Sequence, residues 1–131
     1  MRLFHQMVFE GYVSGTADVF TDNQFDALLG SADQLSVSGY TAQVTGTGPP
    51  TITVQVEQSF DQRRWQSRNT AAAEVTAVTL ATTTETNFQG HDGNPTTRPA
   101  LGFARLRLRL GGTTPTAQVR VWATGRDRAE G

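Results

Sequence analysis

Cysteine is absent, so disulfides and thiolate metal sites are excluded and the redox compartment is left open. Lysine is absent too, and all eleven basic side chains are Arg. Such a set fits a GC-rich coding sequence, and it also fits selection for bidentate, packed ion pairs at subunit contacts. Net charge is low at −1, which argues against a phosphate-neutralising surface and so against a nucleic-acid partner. No apolar run approaches the ~20 residues of a membrane helix, so no membrane partner is expected. The N-terminal stretch MRLFHQMVFEGYV has one Arg and is interrupted by His5, Gln6 and Glu10, so it does not read as a secretory signal. Histidine is scarce: His5 and His91 each lack a second ligand at metal-like spacing. The loop His91-Asp92-Gly93-Asn94 supplies one carboxylate where a Ca²⁺ site generally needs several. No metal and no cofactor is expected.

What is present is alternation. Ala104, Leu106, Leu108 and Leu110 alternate with Arg105, Arg107 and Arg109, the period of a strand with one buried face. Gly111 to Pro115 break the run, and Ala117, Val119 and Val121 then alternate with Gln118, Arg120 and Trp122. Two alternating runs around a short Gly/Pro segment predict a β-hairpin. Leu35 to Val44, a break at Thr45 to Pro49, and Pro50 to Gln58 follow the same grammar, and Pro50–Val56 lies over Pro115–Val121 without a gap.

The chain reads as one domain over residues 1–131, large enough for a single core. Residues 1–13 read as a first strand or an arm, and Thr16 to Phe20 as a short second run. Asp22 can cap a helical turn near 22–29, where Phe25, Leu28 and Leu29 have helical spacing; a loop with an apolar plug is the alternative. Leu35 and Val37 are odd-numbered while Tyr40, Ala42 and Val44 are even, so a β-bulge is expected at Gly39. Ser59 to Trp65 reads as a tight connection with Asp61 accepting backbone amides. Trp65–Thr70 and Glu74–Thr83 read as strands, Asn87–Ala100 as the longest irregular stretch, and residues 126–131 as a frayed polar tail. About eight strands with turn signals every ~10 residues predict an all-β fold, an antiparallel β-sandwich or jelly roll.

No stretch reads as an active site. Gly-x-Ser-x-Gly is absent, and the acids Asp22, Asp26, Asp33, Glu57, Asp61, Glu74 and Glu85 read as solvated. The glycine-rich breaks join strand to strand, whereas a phosphate cradle needs a following helix. The expectation is a protein that is not an enzyme.

The arginine row is the most informative surface feature. In a hairpin its cross-strand pairs would be Arg109–Gln118, Arg107–Arg120 and Arg105–Trp122, the last a cation–π contact. Arg107 opposite Arg120 needs relief from acids such as Glu57 or Glu74, or from another chain. The row is therefore either a solvated, internally paired face or an intersubunit face. Interface candidates are Arg105, Arg107, Arg109, Arg120 and Trp122, then Leu3 and Phe4 on the arm as strand-addition residues, then Phe25, Leu28 and Leu29. Trp65 and Trp122 with the His91–Asn94 loop offer the alternative of a sugar-binding platform.

Thr45–Ser59 followed by Asp61 and Trp65, together with Arg105–Thr116, resembles a pattern in small β-sandwich virion proteins of tailed phages. The resemblance covers roughly Leu35 to Val121. It implies a capsid decoration, head-stabilising or minor structural component of the virion, assembled in the bacterial cytoplasm. Its partners would be the major capsid protein or other shell subunits, with a homo-oligomer, a trimer, favoured. A carbohydrate-binding module or tail-fibre adhesin domain is the alternative. Gln62 stands where such turns usually carry Gly, which speaks against a positive φ there.

Overall fold

The computed structural model describes residues 3–68, 73–91 and 102–127, apart from the side chains of Asp33 and Asp127. Seven strands appear among the described residues: β1 (Leu3–Ser14), β2 (Val19–Phe20), β3 (Ala32–Ser59), β4 (Gln66–Ser67), β5 (Val75–Thr79), β6 (Thr86–His91) and β7 (Phe103–Asp127). Strands β3 and β7 have 28 and 25 residues. They pair antiparallel along their whole lengths, from Ala32↔Asp127 to Ser59↔Phe103. Neither expected hairpin forms. The segments around Gly111–Pro115 and Thr45–Pro50 are corners inside continuous strands, so Arg107 does not face Arg120 and Arg105 does not face Trp122. Hairpin and corner share one sequence grammar, because in both a buried face resumes after a Gly/Pro interruption.

The two corners lie against each other, where the register shifts between Ala42 and Thr51. They fold one continuous ladder into two layers. The first layer runs β1, second arm of β7, first arm of β3, β6. The second runs β2, first arm of β7, second arm of β3, β5, with β4 beside the end of β3. With each arm counted as a strand and β4 set aside, this is the eight-strand, two-Greek-key order of a jelly roll. Leu35, Val37, Val119 and Val121 from one layer and Ile52, Val54, Leu106, Leu108 and Leu110 from the other form one buried cluster. The duplicated segments are the second arms. Pro50 O accepts from Leu80 N at 2.9 Å and Pro115 O from Gly15 N at 2.8 Å, so matched prolines at strand starts play matched parts.

The bulge is displaced from the expected position. Gly39 pairs in register with Val121, and the irregularity comes after Ala42, where Gln43 has φ 52°. Thr41 is therefore buried while Tyr40 and Ala42 face outward. Gly39 is needed for close approach: a Cβ there would run into the Arg120 carbonyl and the Phe88 ring. At the corner, Gly112 has φ +108° and sits against the carbonyls of Thr47 and Pro49, leaving no room for a side chain.

The expected helical turn is present. Asp22 accepts from Gln24 N at 2.9 Å and opens a 3₁₀ turn, Asn23–Phe25, that continues into α1 (Asp26–Gly30). Three other expectations change. Of the described part of the expected 65–70 strand, Gln66–Ser67 forms β4 and Arg68 N adds a hydrogen bond to the Val56 carbonyl at 3.0 Å, and β5 is shorter than 74–83. Asn87–His91, expected irregular, belongs to β6, whose single core residue, Phe88, gives no alternation to read. Arg126 and Asp127 complete β7 and are not tail. Residues 1–2, 69–72, 92–101 and 128–131 lie outside the described set, and with them the Asp92–Asn94 loop and the rest of the tail.

Candidate functional site

The outer face of the second layer is built by the first arm of β7. Arg105, Arg107 and Arg109 point away from the core and meet acids of their own chain. Glu57, only 6% exposed, takes Arg105 Nε at 2.9 Å on Oε1 and Arg107 Nη1 at 3.2 Å on Oε2. Arg107 also donates to Gln55 Oε1. Arg109 Nε donates to Asp18 Oδ1 at 2.7 Å, and that hydrogen bond holds the Asp18 carboxyl below its ordinary range. The Arg105 guanidinium lies between Phe20, 3.9 Å from its centroid, and Trp65 at 4.2 Å. Each such contact contributes about 0.5–1 kcal/mol near a surface. The row is an internally paired face.

The Ser59–Trp65 connection closes the end of this layer. Asp61 Oδ1 accepts from Arg63 N and Arg64 N, both at 2.9 Å, and from Ser59 Oγ at 3.0 Å. These amides, Arg64's first, hold the Asp61 carboxyl down at about 2. Gln62 keeps a positive φ of 62° although it is not glycine. Its amide donates to Ser59 Oγ at 2.9 Å, and its side chain donates to Asp26 Oδ2 at 3.2 Å. Between this turn, Thr21 and α1 lies a cleft of about 210 Å³ lined by Thr21, Asn23, Asp26, Gln62, Trp65 and Arg105.

The first layer presents a different outer face. Trp122 stacks on Tyr40, centroids 6.0 Å apart and planes 24° from parallel. Arg120 Nε donates to Glu10 Oε2 at 2.6 Å, and Arg120 also donates to the Tyr40 hydroxyl. His5 Nδ1 and Thr124 Oγ1 share a hydrogen bond of 2.7 Å. Strand β1 forms the edge and pairs only with β7 among the described residues. It carries no Lys or Pro, and Leu3 and Tyr12 on it are 71% and 61% exposed.

No family model matches the chain, and no curated protein does. Solved structures do. The VP2 subviral particle of infectious bursal disease virus aligns at TM-score 0.56 and 12% identity over 96% of this chain and 33% of that one. The Gt strain of the same virus aligns at 0.53 and 16% over 94% and 31%. The fold is one that a viral capsid protein uses. The same sandwich also aligns with the CBM22-1-CBM22-2 tandem domain of Paenibacillus barcinonensis Xyn10C, at 0.50 and 12% over 88% and 45%. The chain spans about a third of the capsid chains it matches and under half of the tandem domain.

Within this sandwich the sequence-predicted residues fall into separate places. Arg105, Arg107 and Arg109 share the second layer; Arg120 and Trp122 belong to the first. Trp65 and Trp122 sit on opposite layers, so they do not form one sugar platform. Leu29 is wholly buried and Phe25 packs against the core, which removes Leu29 as a contact residue. Phe4 also packs on the core, with its ring against Gly125, while Leu3 projects. Leu28 is half-buried. Sequence reasoning missed the outward Tyr40 and Tyr12 and the cleft acid Asp26. It also missed buried Arg68, which reaches Gln58 Oε1 at 3.2 Å and the Ala32 carbonyl at 3.4 Å. A phase read from polarity alone hides such residues.

Proposed function

We propose that this chain is a non-enzymatic structural protein that binds and stabilises a phage or phage-like capsid shell, in the virion, as a decoration or head-stabilising component. The observation that carries the reading is β1, a twelve-residue edge strand with exposed Leu3 and Tyr12. On its outer side no other strand pairs with it among the described residues; Gln6 Nε2 donates to the Met7 carbonyl at 3.0 Å. Protected edges often carry Pro, a bulge or a covering loop. Strand β1 has no Pro and one irregularity, between Met7 and Phe9, which leaves Phe9–Ser14 in unbroken register as the template for a strand from a neighbouring subunit. The adjoining Tyr40–Trp122 stack supplies the rigid aromatic area that interfaces favour. Many modest contacts of this kind add on a symmetric lattice, so no single one needs to be strong. Copies of the chain meeting at the same lattice points give the homo-oligomer, a trimer by resemblance to the phage proteins.

The experiment is co-assembly. Particles formed with the wild-type chain should carry it through purification, and particles formed with Leu3→Glu/Tyr12→Glu should lose it at unchanged melting temperature. Retention of the double variant at wild-type occupancy would reject the edge as the docking element. A glycan array separates the alternative: binding abolished by Trp122→Ala would favour a carbohydrate-binding module on the same face.

A further inference from the structure

We propose that β1 pairs antiparallel with β1 of a second copy of this chain, about a two-fold axis through Gly11. The proposal rests on the reading of β1 as the docking edge, and it names the owner of the strand that docks there.

Symmetry and register leave few ways to join two such edges. A two-fold axis perpendicular to the sheet makes the strands antiparallel and keeps both outer faces on one side. Directly opposed residues point to the same face, so the axis passes through a residue and not between two. The irregularity between Met7 and Phe9 confines a regular ladder to Phe9–Ser14. Within it, an axis at Glu10 sets two carboxylates against each other, which is unfavourable. An axis at Val13 leaves only residues 12–14 paired. Gly11 and Tyr12 remain.

The inner face separates these two. Phe9 is half-buried at the edge, and its ring lies over Gly11, 3.5 Å from where a Cβ would stand. With the axis at Gly11 the two glycines oppose each other, and each Phe9 stands opposite Val13 of the other copy. Both rings then close over the small pair, as aromatics do over glycine in designed sheets. With the axis at Tyr12, Phe9 falls beyond the end of the ladder and stays uncovered.

The outer face is self-complementary in the same register. Glu10 and Tyr12 stand opposite Arg120 and Gln118 of β7. Glu10 Oε2 takes Arg120 Nε at 2.6 Å, and its Oε1 has no donor among the described residues. The hydroxyl of Tyr12, a residue 61% exposed, has no acceptor among them. An axis at Gly11 sets Tyr12 of each copy opposite Glu10 of the other, so a spare donor meets a charged spare acceptor twice. Joined in this way, two Tyr40–Trp122 stacks lie on one continuous outer face. A shell surface is then held at two points by each pair. The contact closes after two copies and is separate from any three-fold contact.

The test is sedimentation equilibrium of the full chain without particles, at chain concentrations up to about 1 mM, where weak contacts still register. The wild-type chain should reach an even number of copies. Tyr12→Glu sets a carboxylate opposite Glu10 twice across the axis and should weaken pairing about tenfold or more, halving the mass. Tyr12→Arg sets a cation there and should keep the even mass, whereas an axis at Tyr12 would oppose like charges in both variants. Both variants should melt with the wild type at low chain concentration, because Tyr12 is exposed. The proposal is overturned if the wild-type chain is monomeric or odd-numbered, if Tyr12→Glu keeps the wild-type mass, or if Tyr12→Arg halves it too. Particle occupancy reads the shell contact separately. A monomeric wild-type chain that particles carry, and lose with Tyr12→Glu, would give the edge to a strand of the shell and reject the pairing. An even mass halved by Tyr12→Glu, beside particles that carry both forms equally, would keep the pairing and reject the shell contact.

Discussion

The two outer faces of this sandwich differ in how their polar groups are satisfied. On the second layer, three arginines of β7 end on Glu57, Gln55 and Asp18 of the same chain, and Arg105 is covered on both sides by aromatic rings. On the first, the Tyr40–Trp122 stack faces outward next to an unpaired strand edge. The conspicuous charge row therefore belongs to the fold's own cohesion, and the quieter aromatic face is the one we propose for a partner. A charge pattern shows where polarity is, whereas only geometry shows whether it is already answered.

Substitutions should separate the faces, the largest effect first. Arg107→Glu sets a second carboxylate beside mostly buried Glu57 and removes one of its two cations. It should cost about 2 kcal/mol or more in chemical denaturation, through loss of a partly buried pair and new repulsion. Glu57→Gln leaves two guanidiniums without their acid and should cost about 1–3 kcal/mol, less at high salt because both arginines are partly exposed. Trp122→Ala removes one half of an aromatic stack and should cost about 1 kcal/mol in stability, with a larger loss of particle binding. Tyr12→Glu should stay within about 0.5 kcal/mol of wild type in thermal melts while particle binding falls.

Two acids at one end of the second layer titrate in opposite directions and sharpen the contrast further. Asp61 is held at about 2 by the Arg64 and Arg63 amides, below its ordinary 3.8. A depressed carboxyl stabilises the fold above the ordinary value, and that contribution fades as pH falls toward about 2. Burial raises Asp26 instead. The folded chain then holds that proton more tightly than the unfolded chain, so stability falls as pH rises from 3.8 through the raised value. Asp26→Asn should accordingly melt no lower than wild type at neutral pH, and the two should converge in acid. Melting curves across that range check the sign.

Much of the core was legible before any coordinates. Alternation identified Leu106, Leu108, Leu110, Val119 and Val121 as inward and placed Ile52, Val54 and Val56 with them, because a period of two in a strand has one physical meaning. Connectivity was not legible: Gly111–Pro115 reads alike as a turn between paired strands or a corner within one. Only the long-range partner, β3, decides it. Tyr40 misled for a similar reason, since its apolar ring suits a core face, while the strand stays in phase through Thr41 and slips only at Gln43. Asp22 and Asp61 were readable because capping and turn chemistry are local. The cleft around Asp26 joins residues 36 positions apart in sequence, and no local pattern announces it.

The most direct test is particle occupancy, normalised to the folded fraction, for Tyr12→Glu beside Arg107→Glu. If the β1 edge docks and the arginine row is internal, Tyr12→Glu loses occupancy with its melting curve intact, and Arg107→Glu loses stability but binds normally once folded. The reverse pattern, Arg107→Glu folded yet unbound and Tyr12→Glu fully bound, would contradict the assignment of the two faces.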